Sequence, residues 1–206
     1  MPFAYGEKAL EGEAQAIASA PVGSQENVLN TAALKIGREV ARLSKAFGMR
    51  VIATRRSTKR ETRARNVDIM LPSDSLHRAL AESDFVVIAL PYTKQTDSVI
   101  GEAEFKAMKP TAYIINIGRG RIIDEEAMIR ALSEKQIAGA GLDVFATEPL
   151  PRSSKLWEMP NVLCSPHVSG GMEGYNVQAT ELFCRNLERF LAGKRLFNVV
   201  GKRRGY

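Results

Sequence analysis

Three short apolar runs, Ala112 to Ile117, Ile137 to Val144 and Asn161 to Cys164, are each followed by one reactive side chain. Those side chains are Arg119, Glu148 and His167. Each run reads as a buried strand, because a short β-branched stretch bounded by Gly, Pro or Asn is too brief for a buried helix. In an open parallel sheet, ligands bind outside the carboxyl ends of the strands. An Arg, a Glu and a His meeting there can bind a carboxylate, orient an imidazole and move a proton.

The elements that must position them follow from the rest of the chain. At 206 residues it can bury a real core. No run reaches the roughly 18 apolar residues of a membrane span. Residues 1–23 read as an arm with one short helix near Lys8 to Ala18, and they lack the apolar stretch of a secretory signal. Cys164 and Cys184 lack metal-ligand spacing, so a reduced thiol pair, no metal and a cytoplasmic location are expected. The net charge of +6 comes partly from Arg55, Arg56, Lys59, Arg60, Arg63 and Arg65 and from Lys202-Arg203-Arg204. A solvated loop and tail explain these charges, and a cofactor-phosphate contact is the alternative for the first cluster. Nucleic acid is disfavoured because no aromatic side chains interleave with the charges.

Val28, Ala32, Ile36, Val40, Leu43 and Phe47 recur at helical spacing. They predict one helix from Ser24 to Phe47, capped by Ser24 and stopped by Gly48. The alternative is a strand at Val28–Thr31, a turn, and a helix from Lys35. Met49 to Thr54 reads as a strand. A helix follows, capped by Ser73 or Asp74, and His77 on it reads as a surface residue without an acidic neighbour. Phe85 to Leu90 is a near-continuous apolar run, as in a strand covered on both faces. Gly101 to Met108 is a short helix, and Asp124 caps another through Leu132. Trp157 is expected to anchor the Pro-rich loop, and Met172 to Leu191 is a long amphipathic helix. This alternation argues for βαβ units and a doubly wound α/β sheet.

The run from about Ile36 to Tyr206 resembles the cofactor domain of the D-isomer-specific 2-hydroxyacid dehydrogenases. The likeness is carried by Gly48 to Ile52, Ala89-Leu90-Pro91-Tyr92-Thr93 and Ile115-Asn116-Ile117-Gly118-Arg119-Gly120. It continues through Ala138 to Phe145, Glu148-Pro149-Leu150-Pro151, Pro160-Asn161-Val162 and Pro166-His167-Val168. The resemblance implies a Rossmann-like fold and hydride transfer between a nicotinamide and a 2-keto or 2-hydroxy acid. It implies that Arg119 grips the substrate carboxylate, that His167 is the acid–base residue, and that Glu148 favours the charged imidazole and fixes its tautomer. Asp143 resembles the residue that bonds the nicotinamide end. Lys35, Ile36, Leu90, Pro91, Thr96, Ile117 and Gly118 would lie along an NAD or NADP dinucleotide.

Three departures from that pattern matter. Where many relatives carry an acidic residue for the adenosine ribose, this chain has Arg55, which tilts the expectation towards NADP. The Gly-x-Gly-x-x-Gly loop, aligned on Gly37, has Ala32 and Leu34 at its other glycine positions, so the first strand and loop read as degraded. Few residues precede the cofactor domain, so the family's substrate domain is expected to be largely missing. Residues 24–170 then form the dinucleotide domain, and 171–206 a helix and tail whose bare apolar stripe suggests a homodimer. A catalytically silent remnant that dimerises or binds nucleotide weakly is the alternative function.

Overall fold

The computed structural model describes residues 27–32, 36–171 and 173–201. The expected N-terminal arm, the Ser24 cap, Leu34, Lys35 and the Lys202-Arg203-Arg204 group lie outside the described residues. The chain divides into two compact units, Met1–Pro166 and His167–Tyr206.

The first unit holds one eight-stranded sheet. Its strands are β1 (Asn27–Ala32), β2 (Arg50–Arg55), β3 (Thr62–Ala64), β4 (Val67–Pro72), β5 (Phe85–Ala89), β6 (Tyr113–Asn116), β7 (Gly139–Leu142) and β8 (Val162–Cys164). Their order in the sheet is β3-β4-β2-β1-β5-β6-β7-β8. All pairs are parallel except β3 with β4. The helices are α1 (Ile36–Ala46), α2 (Leu76–Glu82), α3 (Glu102–Ala107) and α4 (Glu125–Ser133).

Side chains alternate across the strands, so the central strands feed two cores. Leu29, Ile52, Val86, Ile88 and Ile114 enter the larger core, which α2, α3 and α4 cover. Val28, Val51 and Val87 enter the smaller one, under Ala41 of α1. Full burial of such a side chain stabilises by roughly 1.5–3 kcal/mol.

The single helix from Ser24 to Phe47 is corrected: the alternative, strand then helix, is what forms. β1 pairs with β2 on one side and β5 on the other, and Val28 and Leu29 are buried. Two parallel neighbours satisfy its backbone, and that outweighs a helical spacing that continues by accident into α1. The first strand is therefore present and central. The helix also turns a different face to the sheet than its apolar stripe suggested. Gly37, Ala41 and Ser44 are buried, while Ile36, Leu43 and Phe47 are exposed. Small residues let the helix axis approach the sheet closely. Gly48, with φ +80°, ends the helix as expected.

Three smaller expectations also change. The basic stretch contains β3, which covers the edge of β4, and β4 itself carries only a weak apolar signal in Val67-Asp68-Ile69-Met70-Leu71. Neither Ser73 nor Asp74 caps α2: a 3-10 turn, Ser73–Ser75, leads in, and Ser75 makes no side-chain cap bond. Leu156, not Trp157, anchors the Pro-rich loop. Leu156 is fully buried, while Trp157 is 45% exposed and donates its indole N–H to the Pro151 carbonyl at 2.9 Å. The Asp124 cap does form, its carboxylate accepting from Ala127 N–H at 3.0 Å.

The second unit is built on α5 (Tyr175–Leu191). Phe197 packs beneath the guanidinium groups of Arg189 and Arg185, 4.4 and 5.0 Å from its ring centre. The Asn186 side chain clamps the N–H and the carbonyl of Phe197. No residue of α5 is buried, and Val177, Phe183, Leu187, Phe190 and Leu191 are exposed.

Candidate active site

The carboxyl end of β6 turns through Ile117-Gly118-Arg119-Gly120. Asn116 shapes that turn from inside. Its side chain is buried, its amide donates to the Arg119 carbonyl at 3.1 Å, and its carbonyl accepts from Gly118 N–H at 3.0 Å. Ile117 N–H donates to Ile88 at 3.0 Å, which ties the turn to the end of β5. Arg119 is exposed, and its guanidinium donates to the Gly118 carbonyl at 2.7 Å.

Gly120 joins this turn to the next. A Cβ there would stand 1.8 Å from the carbonyl carbon of Phe145, so the two backbones touch. Phe145 N–H donates to Glu148 Oε1 at 3.0 Å, and Ala146 N–H donates to Glu125 Oε2 at 3.1 Å. The Arg119 turn and the Glu148 turn are thus packed against each other within the first unit. Glu148 itself is exposed.

Asp143, just past β7, is buried. Its Oδ1 accepts from the Ser165 hydroxyl at 2.5 Å. Its N–H donates to the Asn116 carbonyl at 3.1 Å, and Ser165 N–H donates to the Leu142 carbonyl at 2.8 Å. The carboxyl ends of β6, β7 and β8 are laced together here. His167 is the first residue of the second unit and takes a left-handed backbone, φ +56°.

The expected dinucleotide residues that the structure describes lie at or after the carboxyl ends of β1, β2, β5, β6 and β7. Leu90 and Pro91 follow β5 and are half-buried. Thr96 is committed to its own loop: its hydroxyl donates to the Pro91 carbonyl at 2.9 Å and accepts from Thr93 N–H at 2.8 Å. Arg55 ends β2 and is exposed, and Ile36 opens α1 with about half its surface exposed. Asn116, Ser165 and Phe145 are the residues that sequence reasoning passed over. The only signal for them was their place inside the Ile-Asn-Ile-Gly-Arg-Gly, Ser-Pro-His and Leu-Asp-Val-Phe runs.

Other candidate groups do different work. His77 does have an acidic partner, correcting the sequence reading: its Nε2 lies 2.7 Å from Glu104 Oε1, across from α2 to α3. Burial pushes the Cys164 thiol up to about 11, helped by the nearby Glu125 charge, so it stays protonated and is a poor nucleophile. A cleft of about 660 Å³ lies at the amino ends of β2 and β4, lined by Lys45, Arg50, Glu61, Arg63 and Asp68. Its charges are largely paired, Lys45 with Asp68 at 3.0 Å and Arg50 with Glu82 at 3.2 Å. Among the described residues there is no cluster of metal-ligating side chains, and no helix is long and apolar enough to cross a membrane.

Comparison with known proteins matches this arrangement to a family. Residues 24–169 fit the model of the D-isomer specific 2-hydroxyacid dehydrogenase NAD binding domain. A glyoxylate reductase of Thermococcus gammatolerans is 44% identical over 168 residues, which is 82% of this chain and 49% of that protein. A glyoxylate reductase of Pyrococcus furiosus is 39% identical over the same share of both chains. The chain therefore spans about half the length of the curated relatives it matches. Among solved structures, a D-isomer specific 2-hydroxyacid dehydrogenase from Xanthobacter autotrophicus Py2, in complex with NADPH and MES, superposes with a TM-score of 0.83 at 30% identity. That match covers 97% of this chain and 83% of the other. The NADPH-dependent glyoxylate/hydroxypyruvate reductase of Sinorhizobium meliloti gives 0.82 at 30% identity, covering 97% and 65%. With its central parallel sheet, the Arg119 and Glu148 turns at the sheet's carboxyl edge, and a family match over most of its length, the chain belongs to the D-isomer specific 2-hydroxyacid dehydrogenases and carries their NAD-binding domain.

Proposed function

We propose that this chain provides the cofactor-holding domain of an oxidoreductase that interconverts 2-keto and 2-hydroxy acids, with NADP(H) preferred. The observation that carries the reading is the backbone contact of Gly120 with Phe145, which sets the Arg119 turn against the Glu148 turn. Arg119 grips the substrate carboxylate through its planar fork and so aims the neighbouring carbonyl. His167 gives a proton to the carbonyl oxygen in reduction and takes it back in oxidation. Glu148 orients that imidazole. Asp143, an acceptor-only carboxylate at the end of β7, fits an amide donor, and Arg55, exposed at the end of β2, fits a 2′-phosphate. The bound nicotinamide supplies the hydride.

The names of the relatives point to glyoxylate-like acids as the substrate class. The chain acts in the cytoplasm, divides at 1–23, 24–170 and 171–206, and pairs as a homodimer, the last supported by the exposed apolar face of α5. A second reading, a catalytically silent nucleotide binder or dimerising module, is favoured by one observation: the apolar side chains of α5 are exposed.

Calorimetric titration with NADPH and NADH tests these readings. Micromolar NADPH affinity, at least about tenfold tighter than NADH, is expected, and Arg55→Asp should reverse the order. Turnover of glyoxylate that His167→Ala abolishes, with NADPH affinity kept, supports the enzyme. Binding without turnover supports the silent reading. No binding at millimolar cofactor defeats both nucleotide readings.

A further inference from the structure

Asp143, the proposed contact to the nicotinamide end, is held from the neighbouring strand end. Asp143 is 4% exposed, and its Oδ1 accepts the Ser165 hydroxyl at 2.5 Å. Ser165 is held in turn by its own N–H, which donates to the Leu142 carbonyl at 2.8 Å. It is therefore pinned twice to the end of β7, by backbone to Leu142 and by side chain to Asp143. The hydroxyl therefore reaches Oδ1 from a residue whose own backbone is fixed to the neighbouring strand end. Ser165 also stands two residues before His167, with only Pro166 between them.

We propose that Ser165 is a positioning residue that holds the Asp143 carboxylate in place for the carboxamide of a bound nicotinamide. Resting on the nucleotide reading, this role gives the Ser-Pro-His run a second task, since the residue that sets the cofactor-facing carboxylate also anchors the segment leading to the acid–base histidine. A serine can do this because its hydroxyl donates to a carboxyl oxygen and is short enough to reach across two neighbouring strand ends.

The experiment compares NADPH with 2′,5′-ADP, which has the adenosine and its 2′-phosphate but no nicotinamide. Affinities are measured by calorimetry for the parent chain, Ser165→Ala and Ser165→Thr, with the melting temperature of each. Ser165→Ala should weaken NADPH binding about tenfold and leave 2′,5′-ADP binding unchanged. Ser165→Thr, which keeps the hydroxyl, should restore NADPH binding to within about twofold. Equal weakening of both ligands would mean general damage to the domain and overturn the role. No weakening of either, or a threonine variant as weak as the alanine one, would overturn it as well. A parent chain that binds 2′,5′-ADP but holds NADPH no tighter defeats the inference alone. A parent chain that binds neither ligand defeats the nucleotide reading beneath it.

Discussion

At Gly120, a methyl group would sit 1.8 Å from the carbonyl carbon of Phe145, far inside van der Waals contact. Only a backbone shift could make room, and the obstacle is itself backbone. Gly120→Ala should therefore destabilise the domain by about 3 kcal/mol, the upper end for overpacking, and lower its melting temperature by about 6–12 °C. A differential-scanning measurement checks this, and a loss below about 1 kcal/mol would show that the two turns have slack. The same residue explains what was legible. Arg119 and Glu148 could be found because each stands just past a short apolar run, and Asp143 because it sits in the Leu-Asp-Val-Phe run that carries the family resemblance. Ser165 could not, because its partner is 22 residues away and only sheet pairing brings it near. Asn116 reads as the polar end of a strand, while in the structure it is the internal brace of the Arg119 turn.

Elements add constraints that single residues do not. α2 and α3 are short, and a polar clasp helps to join them. Glu104 takes the His77 ring on one oxygen at 2.7 Å and the Gly101 N–H on the other at 3.0 Å. Burial pushes the Glu104 carboxyl up, but the bonds from His77 and the Gly101 backbone outweigh it and hold the group below the ordinary range. A carboxyl lowered in the folded state stabilises above its unfolded value and loses that contribution as pH falls through the folded one. Glu104→Gln should therefore melt lower than the parent at pH 6. The gap should close as pH drops below the ordinary glutamate value of about 4.3. Melting curves from pH 3 to pH 7 read this directly, and a gap independent of pH would contradict it. Strands β5 to β8 were legible because buried parallel strands are short and apolar. β1 was hidden because its apolar spacing ran in phase with α1, and β4 because Asp68 interrupts it. That aspartate accepts the Val51 N–H at 2.8 Å and so belongs to the edge of the sheet rather than to solvent alone. Period counting sees one element at a time and misses pairings that exist only between elements.

For the whole molecule, the order of the strands matters more than their number. From β5 to β8, neighbours in the sheet are neighbours in sequence, and the same holds for β1, β2 and β4 apart from the small β3. The seam between these halves is β1 against β5. Asn27 and Asp84, bonded across it at 2.9 Å, are 57 residues apart, about twice the separation across any other adjacent strands. Closing that seam carries the largest entropic cost of any strand pairing in the sheet. In pulse-labelling hydrogen exchange during refolding, amides of β5 and β6 should gain protection before those of β1; simultaneous protection would mean one indivisible nucleus. The seam is also where the strand order reverses, the place at which open α/β sheets take their ligands. The molecule therefore keeps its costliest closure and its binding crevice in one location. A dinucleotide lying across that line bridges two locally built halves, and its binding energy counts towards assembly of the fold as much as towards occupancy of a site.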